Sequence, residues 1–119
     1  MEIRSSTVPT DTAPFTLTDL AARIKDRAAA SADESYTRQL LDRGISYCAK
    51  KFGEEAVETV LAAVSEDRAH MISEAADLLY HLLVVLEARS IALHEVEQEL
   101  ARRQAQSGLA EKASRPHDR

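Results

Sequence analysis

Three glutamates stand close together in the stretch KKFGEEAVETVLAA, residues 50–63: Glu54, Glu55 and Glu58. The segment is otherwise apolar enough for a core, yet like charges four residues apart on a helix repel by about a few tenths of a kcal/mol per pair. A second acidic pair, Glu74 and Asp77, follows in SEAADLLYHLLVVL with the same i,i+3 spacing as Glu55 and Glu58. Each pair occupies one face of a helix, and the short SEDRA turn between them makes the helices antiparallel neighbours. Four carboxylates facing one another across that groove call for a cation. Hard dications such as Mg²⁺ take carboxylate, water and phosphate oxygens, and all-oxygen ligation favours Mg²⁺ or Mn²⁺ over zinc or iron. A di-iron bundle would use Glu-x-x-His pairs, and His81 lies four residues beyond Asp77, the wrong spacing. The competing reading is a solvated acidic face. It weakens when two neighbouring, otherwise apolar helices both carry the stripe beside their core faces.

Lys50 and Lys51, one turn before the glutamates, either hold substrate phosphates or pair with Glu54 and Glu55 at helical spacing. His81 either contacts substrate, orients a carboxylate, or is a hydrogen-bonded residue beside the core. Tyr80 reads as packing or a hydrogen-bond anchor. Cys48 is the single cysteine. It has no disulfide partner and no zinc-type Cys/His spacing around it, so it reads as a small packing residue.

The elements that must position these groups are helices. Thr16 and Asp19 form a capping box before FTLTDLAARIKDRAAA, with Leu17, Leu20, Ile24 and Ala28 on one face. SYTRQLLDRG is a short second helix with Ser35 as N-cap and Gly44 as its stop. The third helix spans 45–64. Its expected core face is Ile45, Cys48, Ala49, Phe52, Ala56, Val60 and Ala63, widened by Val57, Leu61 and Val64. Lys51, Glu55, Glu58 and Ala62 lie on the remaining side. Gly53 inside that helix costs about 1 kcal/mol relative to Ala, which a close backbone or ligand approach would explain, as would mere tolerance. The fourth helix, about 70–88, has a broad apolar arc and a narrow polar stripe of His70, Glu74, Asp77 and His81. Helices apolar over so much of their circumference need cover on several sides, and a second subunit supplies it. A last amphipathic helix is HEVEQELARRQ.

The whole is an all-α bundle of four to five helices, completed by dimerisation. The chain has 119 residues, 45% apolar and 29% charged, with three glycines and three prolines, which suits one helical domain over residues 15–104. Residues 1–14 and 105–119 read as flexible ends. A net charge of −5 argues against a general nucleic-acid binder. The N-terminus lacks the apolar core of a secretory signal, and HLLVVL is too short to span a bilayer. A cytoplasmic protein with no membrane partner is the expectation.

The frame Glu-Glu-x-x-Glu followed by Glu-x-x-Asp resembles the all-α nucleoside triphosphate pyrophosphohydrolase superfamily, the MazG-like fold. Within it, SYTRQLLDRG, AKKFGEEAVE and EAADLLYHLLVVL together resemble the phosphoribosyl-ATP pyrophosphohydrolases of histidine biosynthesis, across residues 16–104. Phe52 departs from the pattern, where a smaller aliphatic is expected. The resemblance implies Mg²⁺-dependent hydrolysis of phosphoribosyl-ATP to phosphoribosyl-AMP and pyrophosphate by a helical homodimer. It matches Glu55, Glu58, Glu74 and Asp77 to the superfamily's metal ligands and leaves Glu54 to orient or deprotonate the attacking water. Lys50, Lys51, Ser35 and Thr37 become candidates for phosphate contacts. The alternatives are a house-cleaning hydrolase of non-standard nucleotides, separated by substrate alone, and a non-catalytic helical dimerisation module.

Overall fold

The computed structural model describes residues 13–65, 67–105 and 112, so the flexible ends expected from sequence fall largely outside the described residues. Five helices follow one another: α1 (Leu17–Ala28), α2 (Tyr36–Asp42), α3 (Ile45–Val64), α4 (Arg68–Ala88) and α5 (Leu93–Gln104). No strand occurs among the described residues.

Local chemistry sets the helix ends. The Thr16 hydroxyl accepts from the Asp19 amide at 3.1 Å and the Asp19 carboxylate accepts from the Thr16 amide at 3.0 Å, a complete capping box. Ser35 caps α2 by accepting from the Arg38 amide at 3.0 Å. Gly44, with φ +93°, both terminates α2 and starts α3. Its amide donates to the Leu41 carbonyl, and its own carbonyl accepts from the Cys48 amide. That left-handed backbone favours glycine because it lacks a Cβ. Asp67 caps α4 through the His70 amide at 3.1 Å, so the helix begins at Arg68, two residues earlier than the sequence pattern places it. At the other end Ile91 donates to the Leu86 carbonyl and Ser90 to that of Glu87, a Schellman closure with Ser90 at φ +59°.

Helices α3 and α4 form the most extensive pairing in the chain, with α1 and α2 packed across them. The core joins Ile24, Leu40, Cys48, Leu83 and Val84, and α5 reaches it through Leu93. Cys48 is buried and donates to the Leu40 carbonyl.

The apolar faces are not where periodicity alone puts them. Of the expected α3 core face, Cys48 is buried, but Ile45, Ala49, Val60 and Ala63 are exposed. Val57, Val60, Leu61, Val64 and Ile72 are each more than half exposed. The stripe that turns inward carries Cys48 and Ala62, with Lys51 and Glu55 part-buried between them. On α4 the inward side includes His81, 7% exposed, besides Leu83 and Val84. Part of each polar stripe, Lys51 and Glu55 on α3 and Glu74 and His81 on α4, is therefore buried or part-buried, while the far end of the α3 apolar arc is not. Gly53 is exposed with open space around it, on the side of α3 shared with Val57 and Val60 and away from Glu55. By its length of 21 residues and a mean hydropathy of 1.3 in its most apolar window, α4 is also long and apolar enough to cross a membrane, a length the run HLLVVL does not reveal.

Candidate active site

Glu55 and Glu58 project from α3 towards Glu74 on α4, and each offers a carboxylate oxygen within 4.8 Å of the other two. Such a separation costs about 1 kcal/mol per ionised pair in water-like surroundings and several times that in a less polar site. Burial, then the charges of Glu58, Asp77 and Glu74, push the Glu55 carboxyl above its ordinary value, while Lys51 opposes them. One oxygen each of Glu55 and Glu74 is buried and accepts no hydrogen bond. Buried carboxylate oxygens are rarely left unpartnered. Unpartnered oxygens on two of three clustered carboxylates fit a hard divalent cation, and Glu55, Glu58 and Glu74 are the residues that would hold it.

Asp77, the fourth expected ligand, is exposed and stands outside that trio, although its charge reaches both Glu55 and His81. Glu54 is turned aside and held by lysines, at 3.1 Å from Lys51 and 4.0 Å from Lys50. The Glu54 carboxylate raises the Lys51 ammonium above its ordinary value. The pairing expected from spacing thus forms with Glu54, and Glu55 is left without a lysine contact among the described residues.

His81 is buried on α4, about two turns beyond Glu74. Its Nδ1 is buried with no hydrogen-bond partner, and its ring meets Tyr80 edge-on at 5.1 Å. Burial holds the imidazole below its ordinary value, with Lys51 adding to the effect and Asp77 and Glu54 opposing it. The imidazole is therefore neutral at pH 7.

Ser35 and Thr37, the expected phosphate contacts at the start of α2, both line a concavity beside α1. Both are 4% exposed. The Ser35 hydroxyl donates to the Arg27 carbonyl at 3.1 Å while capping α2. The Thr37 hydroxyl shares a 2.6 Å hydrogen bond with the Tyr80 phenol. These bonds tie α2 to α1 and α4. Tyr80 is the hydrogen-bond anchor the sequence suggested.

Two residues near the trio had no assigned role in the sequence. His70 Nε2 lies 3.2 Å from a Glu74 oxygen, four residues away and visible as part of the polar stripe. The Thr59 hydroxyl lies 2.7 Å from the Glu55 carbonyl and 3.2 Å from the Glu74 carbonyl. It fastens α3 to α4 at the backbone of the two buried glutamates. Its only sequence signal was a place one turn after Glu55.

The family described as phosphoribosyl-ATP pyrophosphohydrolase matches residues 17–104. A phosphoribosyl-ATP pyrophosphatase 1 from Bradyrhizobium diazoefficiens is 65% identical over 101 residues, covering 85% of this chain and 95% of that protein. Its namesake from Rhodopseudomonas palustris is 59% identical over 106 residues, covering 89% and 99%. A phosphoribosyl-ATP pyrophosphatase from Azorhizobium caulinodans is 63% identical over 100 residues, covering 84% and 92%. With five helices, a carboxylate trio in the α3–α4 groove, and relatives that align along nearly their whole length, this chain belongs to the phosphoribosyl-ATP pyrophosphohydrolase family.

Proposed function

We propose that this chain hydrolyses phosphoribosyl-ATP to phosphoribosyl-AMP and pyrophosphate, a step of histidine biosynthesis, using Mg²⁺ held by Glu55, Glu58 and Glu74. The observation that carries the metal assignment is the pair of buried, unpartnered oxygens on Glu55 and Glu74. Asp77 joins the set by a side-chain rotation, since it sits one turn beyond Glu74 on the same stripe. Mn²⁺ suits the same oxygen donors.

Phosphoanhydride hydrolysis asks a protein for charge neutralisation and an aligned water more than for covalent help. Bound at the trio, the cation supplies neutralisation of phosphoryl oxygens and an acidified water. The chain's own groups do the rest. Lys51 is anchored by Glu54 and presents its ammonium beside the trio as a phosphate contact, with the more exposed Lys50 behind it. Glu54 takes the proton of the attacking water in this reading, which requires it to swing from its Lys51 contact. His81 stays neutral and buried, so its unpartnered nitrogen serves a bound carboxylate, water or substrate group rather than a competing charge. Thr59 holds the two helix backbones in register.

The active unit is a homodimer. Val57, Val60, Leu61, Val64 and Ile72 form an exposed apolar face along α3 and α4, of the sort monomers seldom leave open. Covering it also shields Leu61, which lies one turn beyond the catalytic Glu58 side of α3. The partners are a small nucleotide and a second copy, with neither nucleic acid nor membrane involved, and the setting is the cytoplasm.

The test is pyrophosphate release by purified protein from phosphoribosyl-ATP, dUTP and dCTP, with Mg²⁺ and with EDTA. Release from phosphoribosyl-ATP alone, abolished by EDTA, supports the assignment. Preference for dUTP or dCTP moves the substrate to a house-cleaning class, and no release from any nucleotide removes the catalytic reading.

A further inference from the structure

A second concavity of about 260 Å³ opens between α1 and α2, with Tyr80 of α4 on its wall. Arg23 and Arg27, one helical turn apart on α1, line it together with Tyr36 and Glu34. Among the described residues neither arginine is paired with a carboxylate. Arg23 stacks over the Phe15 ring at 5.5 Å, which orders its guanidinium without neutralising it. Arg27 is fixed through its backbone, because the Ser35 hydroxyl donates to its carbonyl. The Tyr36 ring is more than half exposed and stacks on Tyr80 at 6.5 Å with 17° between planes. The concavity thus combines an aromatic wall with two free, forked cations.

Its position relative to the carboxylate trio matters. Tyr80 is six residues beyond Glu74, about 9 Å along the α4 axis, and only three beyond Asp77. The Tyr80 ring, on the wall of the concavity, also meets the buried His81 edge-on at 5.1 Å, so α4 joins the concavity to the polar stripe. The proposed substrate is longer than a simple triphosphate, since its purine carries a second ribose ending in a phosphate monoester. That monoester needs cations away from the metal, and planar guanidinium forks match it.

We infer that Arg23 and Arg27 form the subsite for the phosphate monoester of the second ribose, with Tyr36 against the sugar or purine, and that this subsite separates the substrate from ordinary nucleoside triphosphates. The inference rests on the functional reading above. It also gives α2 a purpose: the buried Ser35 and Thr37 bonds hold Tyr36 and Arg27 at the same concavity.

Steady-state kinetics on R23Q/R27Q, R27Q and R27K test it, with K25Q as a control that removes one charge from another face of α1. Loss of a hydrogen bond to a charged group changes affinity by about tenfold or more. R27Q should therefore raise KM for phosphoribosyl-ATP about tenfold and the double variant further, with kcat nearly unchanged, as expected for lost uniform binding. R27K should fall between R27Q and wild type, and K25Q should match wild type. Inhibition by ribose 5-phosphate should be present in the wild type and lost in the double variant, while the inhibition constant for ATP, which lacks the second ribose, stays the same. If the double variant misfolds by circular dichroism, R27Q decides, because its backbone bond to Ser35 is intact. Wild-type turnover of phosphoribosyl-ATP with an unchanged KM in R27Q overturns the subsite alone. Absence of wild-type turnover overturns the functional reading and the subsite with it.

Discussion

Replacing Glu55 by Gln should make the metal-free protein more stable while removing its activity. Glu55 shares a 4.8 Å cluster with Glu58 and Glu74, where each ionised pair costs about 1 kcal/mol at the dielectric of water. Glu58 is exposed, so the water-like figure applies to that pair. The amide keeps the shape of the carboxylate but leaves one buried polar group unsatisfied, which offsets part of the gain. The net expectation is about 1 kcal/mol of stabilisation, or about 4–8 °C in Tm for a domain of this size. Mg²⁺ reverses the order. At ten times its Kd a cation adds about 1.4 kcal/mol to the wild type and much less to a site lacking one charged ligand. Thermal melts followed by circular dichroism, at one fixed protein concentration because dimer melts depend on it, measure both quantities. A Glu55→Gln protein that melts below wild type in EDTA, and gains as much from Mg²⁺ as wild type does, would refute the carboxylate-repulsion argument and the metal assignment together.

Three further outcomes are expected. Ser90→Gly removes a side chain from a left-handed backbone in the Schellman turn after α4 and should raise stability by about 0.5–1 kcal/mol, read by urea denaturation, with activity unchanged. His81 is held below its ordinary value of 6.5, so its contribution is full above that pH and is lost as pH falls beneath it. A His81→Gln variant should accordingly show a flatter stability profile below pH 6.5 than wild type. Val60 is 63% exposed in the single chain, so Val60→Glu should leave monomer helicity intact but shift light scattering from dimer to monomer. An unchanged dimer would move the interface off this face.

The trio was legible because i,i+3 spacing is a local property of a helix. Glu55 and Glu58 share a face wherever α3 goes, and a short turn leaves α4 little choice but to return alongside. Thr16, Ser35 and Gly44 were legible for the same reason: caps act within a few residues. The orientation of the broad apolar arcs was not. Val57, Val60 and Leu61 look like core on a helical wheel, yet each is about 60% exposed in the single chain. Nor could spacing reveal that Ser35 and Thr37 are buried and bonded to Arg27 and Tyr80, contacts spanning 8 and 43 positions.

What the sequence determined by itself was the set of helices, their caps and the grouping of acids along each rod, since all of these follow from 3.6-residue periodicity and neighbouring hydrogen bonds. Tertiary packing decided which stripe of each rod faced inward, that Asp77 stands apart from the trio while Thr59 bridges it, and that two arginines of α1 open beside Tyr36. Those outcomes depend on the rotation of one helix against another, a degree of freedom that no single helix's pattern contains.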